Sequence, residues 1–168
     1  MDCSDSIRLR RSVRKFKTDT LVPDRDIKLI LEAAMMAPSA VNSRPWEFIV
    51  VTDRETKEGI MKVHEYSKML KSAPLAIVVC GKPECQAELG EPFWPQDCAA
   101  ATENILLQAT ALGYGSCWCG CYPVESRVKG LQELFGIKSI PVAVVAIGVA
   151  DESPKAKGFF DEGAVKYF

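Results

Sequence analysis

Residues Ile140–Ala150 read IPVAVVAIGVA, an unbroken apolar run that is rich in β-branched residues and carries no charge. A run of this length is too short to cross a membrane and reads as a strand buried on both faces. Such a strand has to lie inside a layered domain with other elements on either side of it. Working outward, APLAIVVCG at 73–81 is a second buried strand, and EFIVVTD at 47–53 is a shorter one that runs into a polar turn. SCWCGCY at 116–122 reads as a short strand or a loop.

Helices fill the intervals. From Pro23, PDRDIKLILEAAMMAP spaces Ile27, Ile30, Leu31, Ala34 and Met35 along one helical face, and Pro38 closes the segment by restricting Ala37. A second helix is predicted over about 54–70. The longest covers QDCAAATENILLQATALG, with Gly113 just past its end, and PVESRVKGLQELFG gives another that finishes at Gly136. A Pro-rich loop with Pro83, Pro92 and Pro95 is expected to hold Phe93 and Trp94 exposed. Loops of that length are often functional lids. The pattern is α+β, with 1–168 read as a single domain.

Composition narrows the function. The 168 residues are 48% hydrophobic, enough to bury a core, and the net charge of −1 gives no overall attraction to nucleic acid or to anionic lipid. No membrane span and no signal peptide are expected, and seven cysteines fit a reducing, cytoplasmic compartment better than a disulfide framework. GYGSCWCG lacks the third glycine of a dinucleotide-binding turn and follows a helix, and no phosphate-loop or nucleophile-elbow motif occurs. His64 is the only histidine; without a second one to pair with, it reads as an ordinary surface or half-buried residue, and no metal site is expected.

IRLRRSVRKFK collects six basic residues between Arg8 and Lys17. If the chain leaves a first helix near Arg10 and becomes extended, Arg10, Ser12 and Arg14 point to one side, with Val13 and Phe16 as apolar anchors. Two guanidinium forks and a hydroxyl suit a phosphate, although a plain solvated basic face fits the same pattern. The thiols Cys117, Cys119 and Cys121 alternate. On a strand, residues two apart are about 6.6 Å apart, against about 3.8 Å between the Cβ atoms of a disulfide, so neighbouring pairs do not bridge without a bend. The spacing is also poor for zinc.

Taken in order, RRSVRKF at Arg10–Phe16, APSAVNSRPWEFIVV at Ala37–Val51, QDCAAATENILLQATALGYGSCW and PVAVVAIGVAD resemble the nitroreductase family of flavin-dependent oxidoreductases over essentially the whole chain. The resemblance implies a nitroreductase-like fold, a central, mostly antiparallel sheet flanked by helices. It also implies an intertwined homodimer with two FMN molecules at the interface, where the tail 154–168, which carries Phe159, Phe160, Tyr167 and Phe168, packs on the partner. Arg10, Arg11, Ser12 and Arg14 would hold the phosphate, ribityl chain and pyrimidine edge of FMN. Pro38, Ser39, Ala40 and Asn42 of the other subunit would pack beside the ring. Lys68 would join Arg14 in favouring the reduced cofactor, and Gly120 and Cys121 would pass the ring near N5. Lys157 would reach the phosphate, with Phe159 where the family has an arginine and Lys155 as a substitute.

The implied chemistry is ping-pong transfer from NADH or NADPH through FMN to a small electron-poor acceptor such as a nitroaromatic or a quinone. No catalytic acid, base or nucleophile is then required of the protein. Phe93 and Trp94 are candidates to line the acceptor pocket. The competing readings are a flavin-storing protein, a same-fold flavin enzyme with other chemistry, a thiol-metal protein and a nucleic-acid binder. Cys121 replaces a more usual glycine, so its sulfur either touches the flavin edge or fills the space that a glycine would leave.

Overall fold

The computed structural model describes residues 1–89, 92–156 and 158–168. Four strands, β1 (Trp46–Val51), β2 (Leu75–Gly81), β3 (Gly115–Gly120) and β4 (Ile140–Gly148), form one antiparallel sheet in the order β1-β2-β4-β3. The two most apolar runs, β2 and β4, occupy the centre, where every residue of β2 is buried. Side chains alternate between two cores, because successive residues of a strand point to opposite faces. Leu75, Ile77 and Val79 of β2 and Val145 and Ile147 of β4 pack on one side with Ile30 of helix α2 (Asp24–Met35) and Ile105 of helix α4 (Trp94–Ala111). Ala76, Val78 and Cys80 of β2 and Val144 and Ala146 of β4 face the other side with Ile60 of helix α3 (Arg54–Val63) and Leu131 of helix α5 (Glu125–Phe135). The architecture is α+β.

A short helix, α1 (Cys3–Leu9), ends as Arg10 turns extended at φ −55° and ψ 127°. The chain then runs beside the sheet: Val13 N–H donates to the Ser116 carbonyl at 2.9 Å and Lys17 N–H to the Val149 carbonyl at 2.9 Å. The alternation expected for this segment follows, with Val13 and Phe16 buried at 5% and 3% exposure and Ser12 and Arg14 outward. Helix α5 closes on Gly136, whose φ of 63° suits a residue without a Cβ.

Three local expectations are corrected. The helix predicted over 54–70 stops at Val63. His64 is extended, and a 3-10 segment, Glu65–Lys71, follows. The break carries the His64 ring into the core at 1% exposure, so it is neither a surface nor a half-buried residue. The Pro-rich loop is shorter than expected, because Pro83–Leu89 is a 3-10 segment and α4 already begins at Trp94 with Pro95 in its first turn. Trp94 is 5% exposed and packs with its ring against Gly81, so it is a core residue and does not line an acceptor pocket. Among the described residues no helix is long and apolar enough to cross a membrane.

Candidate functional site

The extended segment after α1 forms the wall of a basic cavity of about 560 Å³, lined by Arg8, Arg10, Arg11, Ser12 and Arg14 with Lys155 from the tail. Backbone bridges to Ser116 of β3 and to Ala150 just past β4 fix the path of this segment, and Arg11 Nη1 donates to the Arg8 and Arg10 carbonyls at 2.7 and 2.6 Å. Acids nearby are few and occupied: Glu103 of α4 lies 3.5 Å from Arg10, and the Glu152 carboxylate accepts the backbone N–H groups of Arg14 and Lys15. The cavity therefore keeps a net positive field suited to a doubly charged oxyanion. Lys155 lies in this wall; Lys157 falls outside the described residues, and Phe159 is fully outward at 83% exposure.

A second cavity, of about 780 Å³, adjoins through Arg14 and is lined also by Glu65, Tyr66, Lys68, Met69, Lys71 and Cys117. Arg14 and Lys68 are 54 positions apart in sequence, and the fold brings them to one space. Three cations, Arg14, Lys68 and Lys71, outnumber the one acid, Glu65, and stand with the Tyr66 ring and Met69, a mixed lining that suits a flat aromatic ring with one electron-rich edge.

Pro38, Ser39, Ala40 and Asn42 line neither cavity. Their loop is nonetheless rigidly built. Val41, Asn42 and Arg44 adopt positive φ (49°, 54° and 47°), and buried Asp97 accepts the Ala40 N–H at 3.2 Å while taking a hydrogen bond from Gln86 Nε2 at 2.6 Å. A β-branched residue at positive φ is strained and persists only where its surroundings hold it. The loop thus holds a fixed shape away from both cavities.

The Cys117–Cys121 stretch separates by parity. Trp118 and Gly120 face out, while Cys117, Cys119 and Cys121 are 3%, 4% and 0% exposed. All seven cysteines are free thiols. The Cys121 sulfur lies in the core beside the Cys119 carbonyl at 3.7 Å, and its N–H donates to Val142 at 2.8 Å. Within the chain the sulfur therefore packs in the core. Burial pushes the Cys80, Cys98 and Cys121 thiols up to about 12. Cys117 moves the other way, lowered by its interaction with the neighbouring Cys119 thiol and, to a smaller degree, by the attraction of Arg14. At Gly120 an added Cβ would meet open space, so β3 presents bare backbone to its surroundings there.

Sequence reasoning missed His64. Its Nδ1 accepts the Tyr66 N–H at 3.3 Å, which leaves the proton on Nε2, and that N–H donates to the Gly120 carbonyl at 2.9 Å. Burial holds the ring below its ordinary value, with Arg127 pushing the same way. The unfolded chain therefore takes up this proton near pH 6.5 while the folded chain resists it, so stability falls as pH drops below that value. We expect the urea midpoint to fall between pH 7 and pH 5 by more in the wild type than in His64→Gln. Equal falls would show that the imidazole does not titrate with unfolding.

Comparison with known proteins adds an independent finding. The sequence profile of the Nitroreductase family matches residues 7–65 and 60–149. A protein of Methanothermobacter thermautotrophicus named as a candidate NADH dehydrogenase/NAD(P)H nitroreductase is 47% identical over 165 residues, covering 96% of this chain and 84% of that protein. Among solved structures, a candidate NADH oxidase of Clostridium acetobutylicum superposes with a TM-score of 0.89 at 41% identity, over 96% of this chain and 98% of that one. An FMN-dependent nitroreductase of Clostridium difficile superposes with a TM-score of 0.88 at 32% identity, covering 98% of both chains.

Proposed function

The chain belongs to the nitroreductase family, and from that premise we propose that it is an FMN-dependent oxidoreductase drawing reducing equivalents from NADH or NADPH. Its acceptor is a small electron-poor molecule, a nitroaromatic or a quinone. The observation that carries the reading is the pair of adjoining cavities that share Arg14, one lined by four arginines and a lysine, the other holding the Tyr66 ring and Met69 among three cations and one acid.

The residues fit the cofactor part by part. Arg10, Arg11, Ser12 and Lys155 hold the phosphate end, where charged and bidentate donors are strongest. Arg14 and Lys68 set positive charge beside the pyrimidine edge. Gly120 lines neither cavity, and its open, side-chain-free backbone is where the ring would approach β3 in this reading. When bound, FMN supplies the hydride chemistry, so the protein needs to bind, orient and exclude water rather than provide an acid or a nucleophile.

The same reading makes the protein a homodimer. The strained loop carrying Pro38, Ser39, Ala40 and Asn42 lines neither of its own chain's cavities and completes the site of the partner. The tail leaves Phe160 at 74% and Tyr167 at 89% exposure, apolar surface that a second copy would cover. Free thiols throughout suit a cytoplasmic setting.

Two results test this. With donor and acceptor both varied, initial rates should give parallel double-reciprocal lines; intersecting lines would require both substrates bound together and contradict the shared-site reading. Gly120→Ala should leave folding intact, since its Cβ meets nothing within the chain, yet weaken FMN affinity by about tenfold through the intruding methyl. FMN titration of the stripped protein checks this, and unchanged affinity would remove Gly120 from the site.

A further inference from the structure

The carbonyl of Gly120 is held from two elements at once. His64 Nε2–H donates to it at 2.9 Å and Arg127 Nη1 of α5 donates to it at 3.0 Å. The same imidazole accepts the Tyr66 N–H through Nδ1 at 3.3 Å, and so caps the 3-10 segment that carries Tyr66 and Lys68 into the larger cavity. Arg127 closes the arrangement: its guanidinium lies 5.2 Å from the centre of the Tyr66 ring and 3.9 Å from the Glu65 carboxylate.

This geometry has a purpose that simple stability would not require. Gly120 is the last residue of β3, it has no side chain to anchor it, and it faces open space. Backbone pairing already ties this strand end to β4, through the Cys121 N–H to the Val142 carbonyl at 2.8 Å, and the buried imidazole with both nitrogens satisfied adds a stiff link to the Gly120 carbonyl. The ring is also a bridge, since it links the backbone of β3 to the backbone of the turn two residues before Lys68.

Resting on the reading that FMN binds here, we propose that His64, assisted by Arg127, is a positioning residue of the cofactor site: it anchors the turn bearing Tyr66 and Lys68, which line the larger cavity, to the end of β3 at Gly120. His64 touches neither cavity and acts only through the groups that it holds.

The test compares His64→Gln, whose amide can still donate to Gly120, with His64→Leu, which fills similar space and donates nothing. FMN titration and thermal unfolding of the FMN-free full-length protein are measured on each. We expect His64→Leu to bind FMN about tenfold more weakly while still unfolding cooperatively, and His64→Gln to stay within about threefold of the wild type. Should His64→Leu fail to fold, Arg127→Met removes the second donor from a partly exposed position and should weaken FMN about threefold. The proposal is overturned if His64→Leu binds FMN like the wild type, if the two His64 variants lose affinity equally, or if His64→Leu does not fold and Arg127→Met binds normally. Wild-type protein that takes up no FMN would instead defeat the cofactor reading itself, a separate and recognisable outcome.

Discussion

Arg14→Ala should lower FMN affinity by about a hundredfold, the largest loss expected from any single side chain here. Among the described residues Arg14 alone lines both cavities, so its guanidinium serves the phosphate side and the ring side together. Hydrogen bonds to charged groups contribute about 1.5–3 kcal/mol each, and two of them lost or weakened give a change of this order. The fold should not suffer. The Arg14 side chain is exposed, its nearest hydrogen bond within the chain is a long 3.5 Å contact to the Ser12 carbonyl, and the backbone bond to Glu152 survives the substitution. Lys28→Ala, which removes one charge from the exposed face of α2, is the control for bulk electrostatics and should leave affinity unchanged. FMN titrations of both variants at one salt concentration decide the matter. Equal affinities for the two variants would show that the basic wall is only a solvated surface.

Trp94→Ala should destabilise the protein by about 3–5 kcal/mol, as truncation of a large buried aromatic does. The ring packs so closely on β2 that a Cβ at Gly81 would come within 2.2 Å of its Cε3 atom, and it stands 4.9 Å from the Tyr122 ring in an edge-on contact. Whatever protein folds should keep the acceptor KM of the wild type, because Trp94 lines neither cavity. Denaturant unfolding and steady-state kinetics separate the alternatives. Normal stability with an altered KM would restore Trp94 to the acceptor pocket.

The reasons for what the sequence did and did not disclose are local. The runs at 73–81 and 140–150 announce central strands because burial on both faces removes polar residues from them. The alternation at 10–16 predicts the basic wall because an extended backbone has a period of two. Trp94 was misread because an aromatic between prolines looks like a loop residue, whereas α4 starts there and folds the ring under β2. His64 carried no signal at all: one histidine in a helical pattern looks solvated, and only the break at 63–65 shows that it is buried. Nor could any spacing rule bring Lys68 to Arg14, because that proximity depends on how the 65–71 segment packs against the sheet and the N-terminal segment. Cys121 falls between these cases. The sequence reads Cys117 and Cys119 as core thiols, and the structure buries Cys121 on the same parity, with Trp118 and Gly120 outside.

The most direct test of the central claim is the visible spectrum of the purified full-length protein after incubation with FMN, removal of free cofactor, and anaerobic addition of NADH or NADPH. The account predicts a yellow protein that retains about one FMN per chain, is bleached by at least one of the two nucleotides, and regains its colour when a quinone or nitroaromatic is added. A colourless protein after incubation with FMN would contradict it, and a yellow protein that neither nucleotide bleaches would make it a flavin store rather than an oxidoreductase.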